Sequence, residues 1–380
     1  MKNKIIMSLL GISIIFMSTG FNIKAEDKED LEVKVAIVTE PSKEDPMGFS
    51  AADYISNAYK QRKINNVSND TVEHIILPYD FDKNSAKTEK TMEKIYSDSE
   101  IDAVVFTTKK SGITPYVKEL EEKRKDIITL SADVGEDYQT LVDAFDLNYI
   151  SDNRLDGRKT VQLAKEMGAE AFILYYTADE LKNEDVSVKI SQIESECEKQ
   201  KIELVKTEIP SGDIYRMKKY VSEDINKKID EYGEDINIYT TNKEVDDVIL
   251  KRGIKSGLII SEVSDGCLLD ELNEMYRIYR RTWDKGDYKG NTKYITDSSL
   301  KYEMSGRLGG ILMQNDTLAV YAATDIAIAL KEEGADISRA YNSYFLETSL
   351  NVKEGVTAEF SNVIAGNPSL KMISVDQVIY

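Results

Sequence analysis

Residues 144–176 read AFDLNYISDNRLDGRKTVQLAKEMGAEAFILYY. Their hydropathy pattern divides into an apolar strand, a Ser-Asp-Asn turn, an amphipathic helix and a second apolar strand. Ser151 or Asp152 is expected to give the helix its N-cap oxygen, and Gly168 the permissive backbone at its C-terminal end. Val161, Ala164 and Met167 recur at helical spacing and form the buried stripe, which leaves Lys159, Gln162 and Glu166 on the wet side. Strand, helix and strand in this order make one βαβ unit, whose two strands run parallel.

The same alternation extends in both directions. Upstream, Val33–Thr39, Glu73–Pro78, Ile101–Thr107, Ile127–Leu130 and Phe145–Ile150 read as strands, with helices at Phe49–Lys63, Ser85–Ser97 and Thr114–Lys125. Downstream, strands at Ala171–Tyr176, Ile202–Ile209, Ile236–Thr241 and Gly257–Ser261 alternate with helices at Val186–Gln200, Tyr215–Tyr232 and from Val245. The strands are continuous apolar runs, so helices should cover both of their faces, the pattern of parallel sheets. Two such series, meeting near residue 150, predict an α/β protein of two doubly wound lobes. Leu268–Arg281 reads as helix and Trp283–Tyr302 as a surface excursion. Gly306–Gln314 reads as a strand, Thr317–Glu333 as a buried helix and Lys371–Tyr380 as a closing strand. The expected division is residues 1–25 as a leader, 26–149 with about 315–345 as the N-terminal lobe, and 150–314 with about 346–380 as the C-terminal lobe.

The formal net charge over 380 residues is −19, which repels phosphate backbones and anionic lipid, so nucleic acid is not an expected partner. Lys2 and Lys4 precede an uncharged apolar run from Ile5 to Phe16, and Ala25 offers a small residue for cleavage, the layout of an export signal. The expected location is therefore periplasmic or extracellular, with an uncleaved N-terminal anchor as the alternative. Cys197 and Cys267 fall in no metal or redox spacing, and both a disulfide and two buried thiols fit them.

Signatures of catalysis are missing. There is one histidine, His74, inside a strand, and one histidine with two cysteines cannot build a His/Cys zinc site. No nucleophile elbow, phosphate loop or dinucleotide fingerprint occurs, and Gly309-Gly310 reads as close packing in a strand. No cofactor, metal or catalytic residue is expected. Function in a doubly wound sheet is sought at the carboxyl ends of its strands. In the first lobe these ends deliver Thr107, Thr108, Ser131 and Asp133, with Phe49 near the first of them. In the second they deliver Tyr175, Tyr176, Thr177, Asn242 and Glu262. Hydroxyls, amides, carboxylates and aromatic rings on one rim suit a small polar ligand.

The run SDNRLDGRKTVQLAKEMGA resembles the lobe-crossing segment of type I periplasmic substrate-binding proteins, the superfamily of ribose and galactose receptors. There a Ser-Asp-Asn and a following Gly open the first helix of the second lobe, as Ser151, Asp152, Asn153 and Gly157 would here. GRLGGILMQ is similar to the second crossing strand of that family, with Gln314 in the place of its ligand-contacting glutamine. TTNKE and LIISEVSDG resemble the strand ends that carry a binding asparagine and a binding aspartate, matched by Asn242 and Glu262. The chain departs from the family in the first lobe. Ser131 and Ala132 stand where ribose receptors carry Asp-Arg, the stacking Phe-Phe after the first strand is absent, and the second-lobe arginine has no counterpart in Val186–Ile193.

The resemblance implies an exported protein that closes two lobes on a sugar, nucleoside or amino-acid-like solute and presents it to a membrane permease or a sensor kinase. It implies a hinge at Asn148, Ser151, Asp152 and Asn153. A secreted enzyme that uses Asp133 and Glu262 as an acid/base pair is one alternative. An interaction protein that docks through the tyrosine-rich stretch Tyr276–Tyr294 is another.

Overall fold

The structure, a computed structural model, describes residues 33–61, 71–83, 85–152, 156–264, 272 and 288–380. The expected leader, the turn residue Asn153, Cys267, the helix expected at Leu268–Arg281 and most of the stretch 276–294 lie outside them.

The first lobe alternates β1 (Lys34–Thr39), α1 (Pro46–Gln61), β2 (Val72–Ile76), α2 (Ser85–Ser97), β3 (Ile101–Thr107), α3 (Thr114–Lys123), β4 (Ile128–Ala132), α4 (Tyr138–Ala144) and β5 (Leu147–Ser151). The second follows with α5 (Asp156–Glu166), β6 (Ala171–Tyr176), α6 (Glu184–Gln200), β7 (Glu203–Glu208), α7 (Ile214–Tyr232), β8 (Ile236–Thr240) and α8 (Asp246–Ser256). The chain ends with α9 (Tyr288–Lys301), β9 (Gly309–Gly310), α10 (Asn315–Glu332), α11 (Ser343–Glu354), β10 (Ala358–Ile364), β11 (Asn367–Val375) and β12 (Val378–Ile379).

Seven strands form the first sheet in the order β10-β11-β5-β4-β3-β1-β2, and β7-β6-β8 form the second. All neighbours are parallel except β10 and β11, which make a hairpin at the edge. Single bridges from Asn237 to Ile259 and from Ile260 to Leu308 extend the second sheet, and β12 pairs with β9 beside it. The continuous apolar runs have the reason anticipated for them. Val35 and Ile37 point into one core layer and Ala36 and Val38 into another, so both faces of β1 are buried. Helix α10 is apolar almost all round because it is enclosed, with every residue from Leu318 to Leu330 buried.

Residues 358–375 correct the expected lobe division. They were placed in the C-terminal lobe, yet β11 pairs in parallel with β5, Leu370 opposite Asn148 through Ile373 opposite Ser151, and so belongs to the first sheet. Only Val378 and Ile379 pair with β9, beside the second sheet. The Gly306–Gln314 strand shrinks to Gly309–Gly310. The supposed surface excursion contains helix α9, anchored by the buried Ile295 and Ser299.

The chain passes between the lobes three times: after Asp152 at the end of β5, through 311–314 from β9 to α10, and through 376–377 from β11 to β12. The quoted stretch therefore does organise the fold, with two corrections. Helix α5 begins at Asp156, and Ser151 closes β5 with its hydroxyl on Asp133, so Ser151 does not cap the helix. Lys159, expected in water, is half-buried and reaches Ser374 Oγ and the Val375 carbonyl. Gly168 ends the helix as expected, with φ +94°.

Gly157 lies where α5 crosses α6. Its N–H donates to Gln192 Oε1 at 3.1 Å, and a Cβ there would stand 2.4 Å from the Lys189 carbonyl oxygen. The obstacle is backbone, so the helices must separate to admit it. Gly157→Ala is expected to cost about 1–3 kcal/mol in urea unfolding. An unchanged midpoint would show that this contact is not tight.

Candidate functional site

The crossing segments and the elements beside them enclose a cavity of ≈ 240 Å³. From the second lobe come Asp156, Lys159 and Thr160 on α5, Lys189 on α6, and Glu262, Val263 and Ser264 after the strand end at Ile260. The second crossing gives Ile311 and Gln314, followed by Asn315 and Asp316 at the start of α10. Ser374 and Val375 of β11 and Gln377 of the third crossing complete the wall. Both lobes thus contribute.

Local chemistry explains how each group is held. Asp246 at the start of α8 accepts the Ser264 N–H and hydroxyl, which fixes the turn that carries Glu262. Glu262 accepts the Ile311 N–H at 3.2 Å and the Gln377 amide at 3.1 Å on one oxygen, Oε2, and so ties the second crossing to the third. Gly310 makes room for this carboxyl. Its φ is +141°, and a Cβ would stand 2.7 Å from Glu262 Oε1. Asn315 donates its amide to the Asp152 carbonyl at 2.9 Å and accepts the Val375 N–H at 2.7 Å, which ties the first crossing to the end of β11.

Burial sets the electrostatics. It pushes the Glu262 carboxyl up to about 8, against the opposing influence of Gln377, Lys189 and the Val263 and Ile311 amides. Asp156 is raised by burial against Lys189 and Lys159, and Asp316 by burial against Lys109. Tyr239, followed by Asp156 and Glu262, holds the Lys189 ammonium above its ordinary range despite desolvation. Lys109 lies 3.7 Å from both Asp316 and Asp133 and links the cavity to the first-lobe rim.

Of the site residues expected from the sequence, Glu262 and Gln314 line the cavity and the others do not. Asn242 caps a turn, accepting the Glu244 N–H at 3.0 Å. Tyr175 is buried in the core and donates to Asp224 at 3.2 Å. Tyr176 is half-buried beside the opposite core layer. Thr177 converges with Thr241 on Glu180. In the first lobe Thr107 donates to Asp45 at 3.3 Å, and the hydroxyl of the buried Thr108 has no hydrogen-bond partner. Ser131 donates to Asn148 at 2.7 Å, and the Asn148 amide reaches the Ser369 carbonyl. Asp133 sits at φ +55° and accepts the Ser151 N–H and hydroxyl, which joins the end of β4 to the end of β5. Phe49 packs edge-on against His74, centroids 4.9 Å apart. Asp152 is buried, its N–H on the Ile373 carbonyl.

Asp133 and Glu262 are not brought together in the cavity. Sequence reasoning missed Asp156, Lys159, Lys189, Asn315, Asp316 and Gln377. The one available signal was Gly157, which marks the close crossing of α5 and α6. Cys197 is a buried free thiol. Among the described residues, no cluster of metal-ligating side chains occurs and no helix is long and apolar enough to cross a membrane.

Residues 33–309 match the family described as "Protein of unknown function (DUF3798)". No curated protein matches the sequence. A crystal structure described as a transcriptional regulator from Clostridium difficile 630 superposes with a TM-score of 0.76 at 26% identity, covering 92% of this chain and 99% of that one. A sugar ABC transporter structure from Actinomyces odontolyticus ATCC 17982 superposes at 0.52 with 12% identity, covering 92% and 96%.

Proposed function

The chain belongs to the DUF3798 family of proteins of unknown function and has the type I periplasmic-binding-protein fold, and from that premise we propose that it is an exported solute-binding protein. It closes its two lobes on a small polar ligand and presents that ligand to a membrane permease or a sensor kinase. One observation carries the reading: a polar cavity at the crossing segments takes side chains from both lobes, so moving one lobe against the other opens or completes its wall. One structural neighbour is described as a sugar ABC transporter protein, which supports binding over catalysis. Lys2, Lys4 and the apolar run behind them support export. The neighbour described as a regulator shares this fold, and the net charge of −19 argues against nucleic acid as a partner of this chain.

A thermal-shift screen of sugars, nucleosides and amino acids tests the proposal. A true ligand at a hundredfold excess over its Kd adds about 2.7 kcal/mol to the stability of the folded chain. The same compound should contract the protein in solution scattering, and both effects should weaken in Gln314→Ala and Thr160→Ala, one change at the hinge and one on the second-lobe wall. Chemical turnover of the hit would favour the enzyme reading. Binding untouched by either substitution would move the site elsewhere.

A further inference from the structure

Resting on the binding reading above, we propose that the solute is a small zwitterion, a free amino acid or a similarly compact amine-bearing acid, rather than a neutral sugar. The first argument is what the wall lacks. Neutral sugars present C–H faces that aromatic rings cover, and among the described residues no Phe, Tyr or Trp lines this cavity. The rings nominated for that work are engaged elsewhere, Tyr175 on Asp224 and Phe49 on His74.

The second argument is what the wall holds. Lys189 and Lys159 offer ammonium groups from the second lobe, Asp156 offers a carboxylate beside them, and Asp316 lines the same cavity from the start of α10 in the first lobe. Glu262 ties Ile311 to Gln377, so apart from it the wall carries two groups of each sign, of which Lys159 also reaches Ser374 and Val375 and Asp316 lies 3.7 Å from Lys109. A sugar entering here would strip water from four charged groups and return only hydroxyls. A simple anion would meet the carboxylates of Asp156 and Asp316, the latter beside Lys109 outside the wall, and a simple cation would meet the two lysines. A zwitterion supplies both counter-charges at no net charge, with its carboxylate toward Lys189 and its ammonium toward Asp316. A volume of ≈ 240 Å³ matches about eight waters at ~30 Å³ each, room for an amino acid of about ten non-hydrogen atoms.

Calorimetry on the folded chain decides this with the twenty L-amino acids, D-ribose, D-galactose and adenosine as probes. An amino acid should bind, and its methyl ester and its N-acetyl form should each lose about a hundredfold. Lys189→Gln should weaken the parent about tenfold or more while changing the ester far less. Asp316→Asn should do the same with respect to the N-acetyl form. The blocked ligands need no variant, so a poorly folding substitution leaves the test intact. Equal binding of parent and blocked forms overturns the inference. Binding of ribose, galactose or adenosine without any amino acid also overturns it, and leaves the cleft reading standing. No binding by any probe to a cooperatively folded chain removes both.

Discussion

Asn315→Ala is expected to lower folding stability by about 2–4 kcal/mol, the largest loss from any single polar side chain near the cavity. The amide is buried, 8% exposed, and bonds the backbone on both sides: its N–H to the Asp152 carbonyl at 2.9 Å and its oxygen to the Val375 N–H at 2.7 Å. Each bond is worth about 1 kcal/mol, but a stranded buried backbone group costs about 1–3 kcal/mol, and two are stranded together. Asn315→Asp separates the two roles. It keeps the acceptor for Val375 and sets a carboxylate against the Asp152 carbonyl, so it should be at least as damaging as alanine near neutral pH. Both backbone groups border crossing segments, so the variants should also loosen the lobes, seen as faster amide exchange at Asp152 and Val375. An alanine variant with a urea midpoint within error of the parent would refute the role.

What could be read without coordinates follows from what hydropathy encodes. Strand β6 was legible as AFILYY because burial on both faces leaves a run of apolar residues. The same fact defeated the assignment of Tyr175 to the ligand. Ala171, Ile173 and Tyr175 enter one core layer and Phe172 and Leu174 the other, so neither side of the strand faces the cleft. Lys159 was misplaced for a related reason. Helical periodicity separates apolar from polar faces, but it does not distinguish a polar face in bulk water from one closing a polar cavity. Strand β11 was visible as an apolar run, but its sheet was not, because pairing with β5 across more than two hundred residues is a tertiary choice. Helix α9 was obscured by Gly290, Asn291 and Asp297, whose weak helix preference is overruled by the burial of Ile295 and Ser299. The match to residues 33–309 and the two-lobed fold agree with the family resemblance of the crossing segment. The differences lie in side chains that only the folded chain gathers.

Stability should fall as pH rises from about 5 to 8, and Glu262→Gln should remove most of that slope. Burial holds the Glu262 carboxyl at about 8, against an ordinary value of 4.5. A pKa raised on folding means that the folded chain binds this proton more tightly than the unfolded chain. The stabilisation is therefore complete below the unfolded value, declines as pH climbs, and is gone above the folded value. At 1.36 kcal/mol per unit, the rise from 4.5 to about 8 corresponds to an upper bound of about 5 kcal/mol. Asp156 and Asp316 are raised as well and act in the same direction, so a shallower slope should persist in the variant. Lys189 does not contribute, because its shift is upward from 10.5 and lies outside this window. Glutamine matches the protonated acid in shape and retains an acceptor for the Ile311 N–H and the Gln377 amide. The variant should therefore equal the parent in stability near pH 5 and exceed it near pH 8. Urea titrations of both proteins across this range provide the measurement, and parallel curves would assign the pH dependence to other groups. The coincidence near pH 5 is the informative part. A neutral group that loses nothing at pH 5 shows that the bonds to Ile311 and Gln377 persist without charge, so the negative charge at pH 8 is a cost of burial that the crossing segments do not offset.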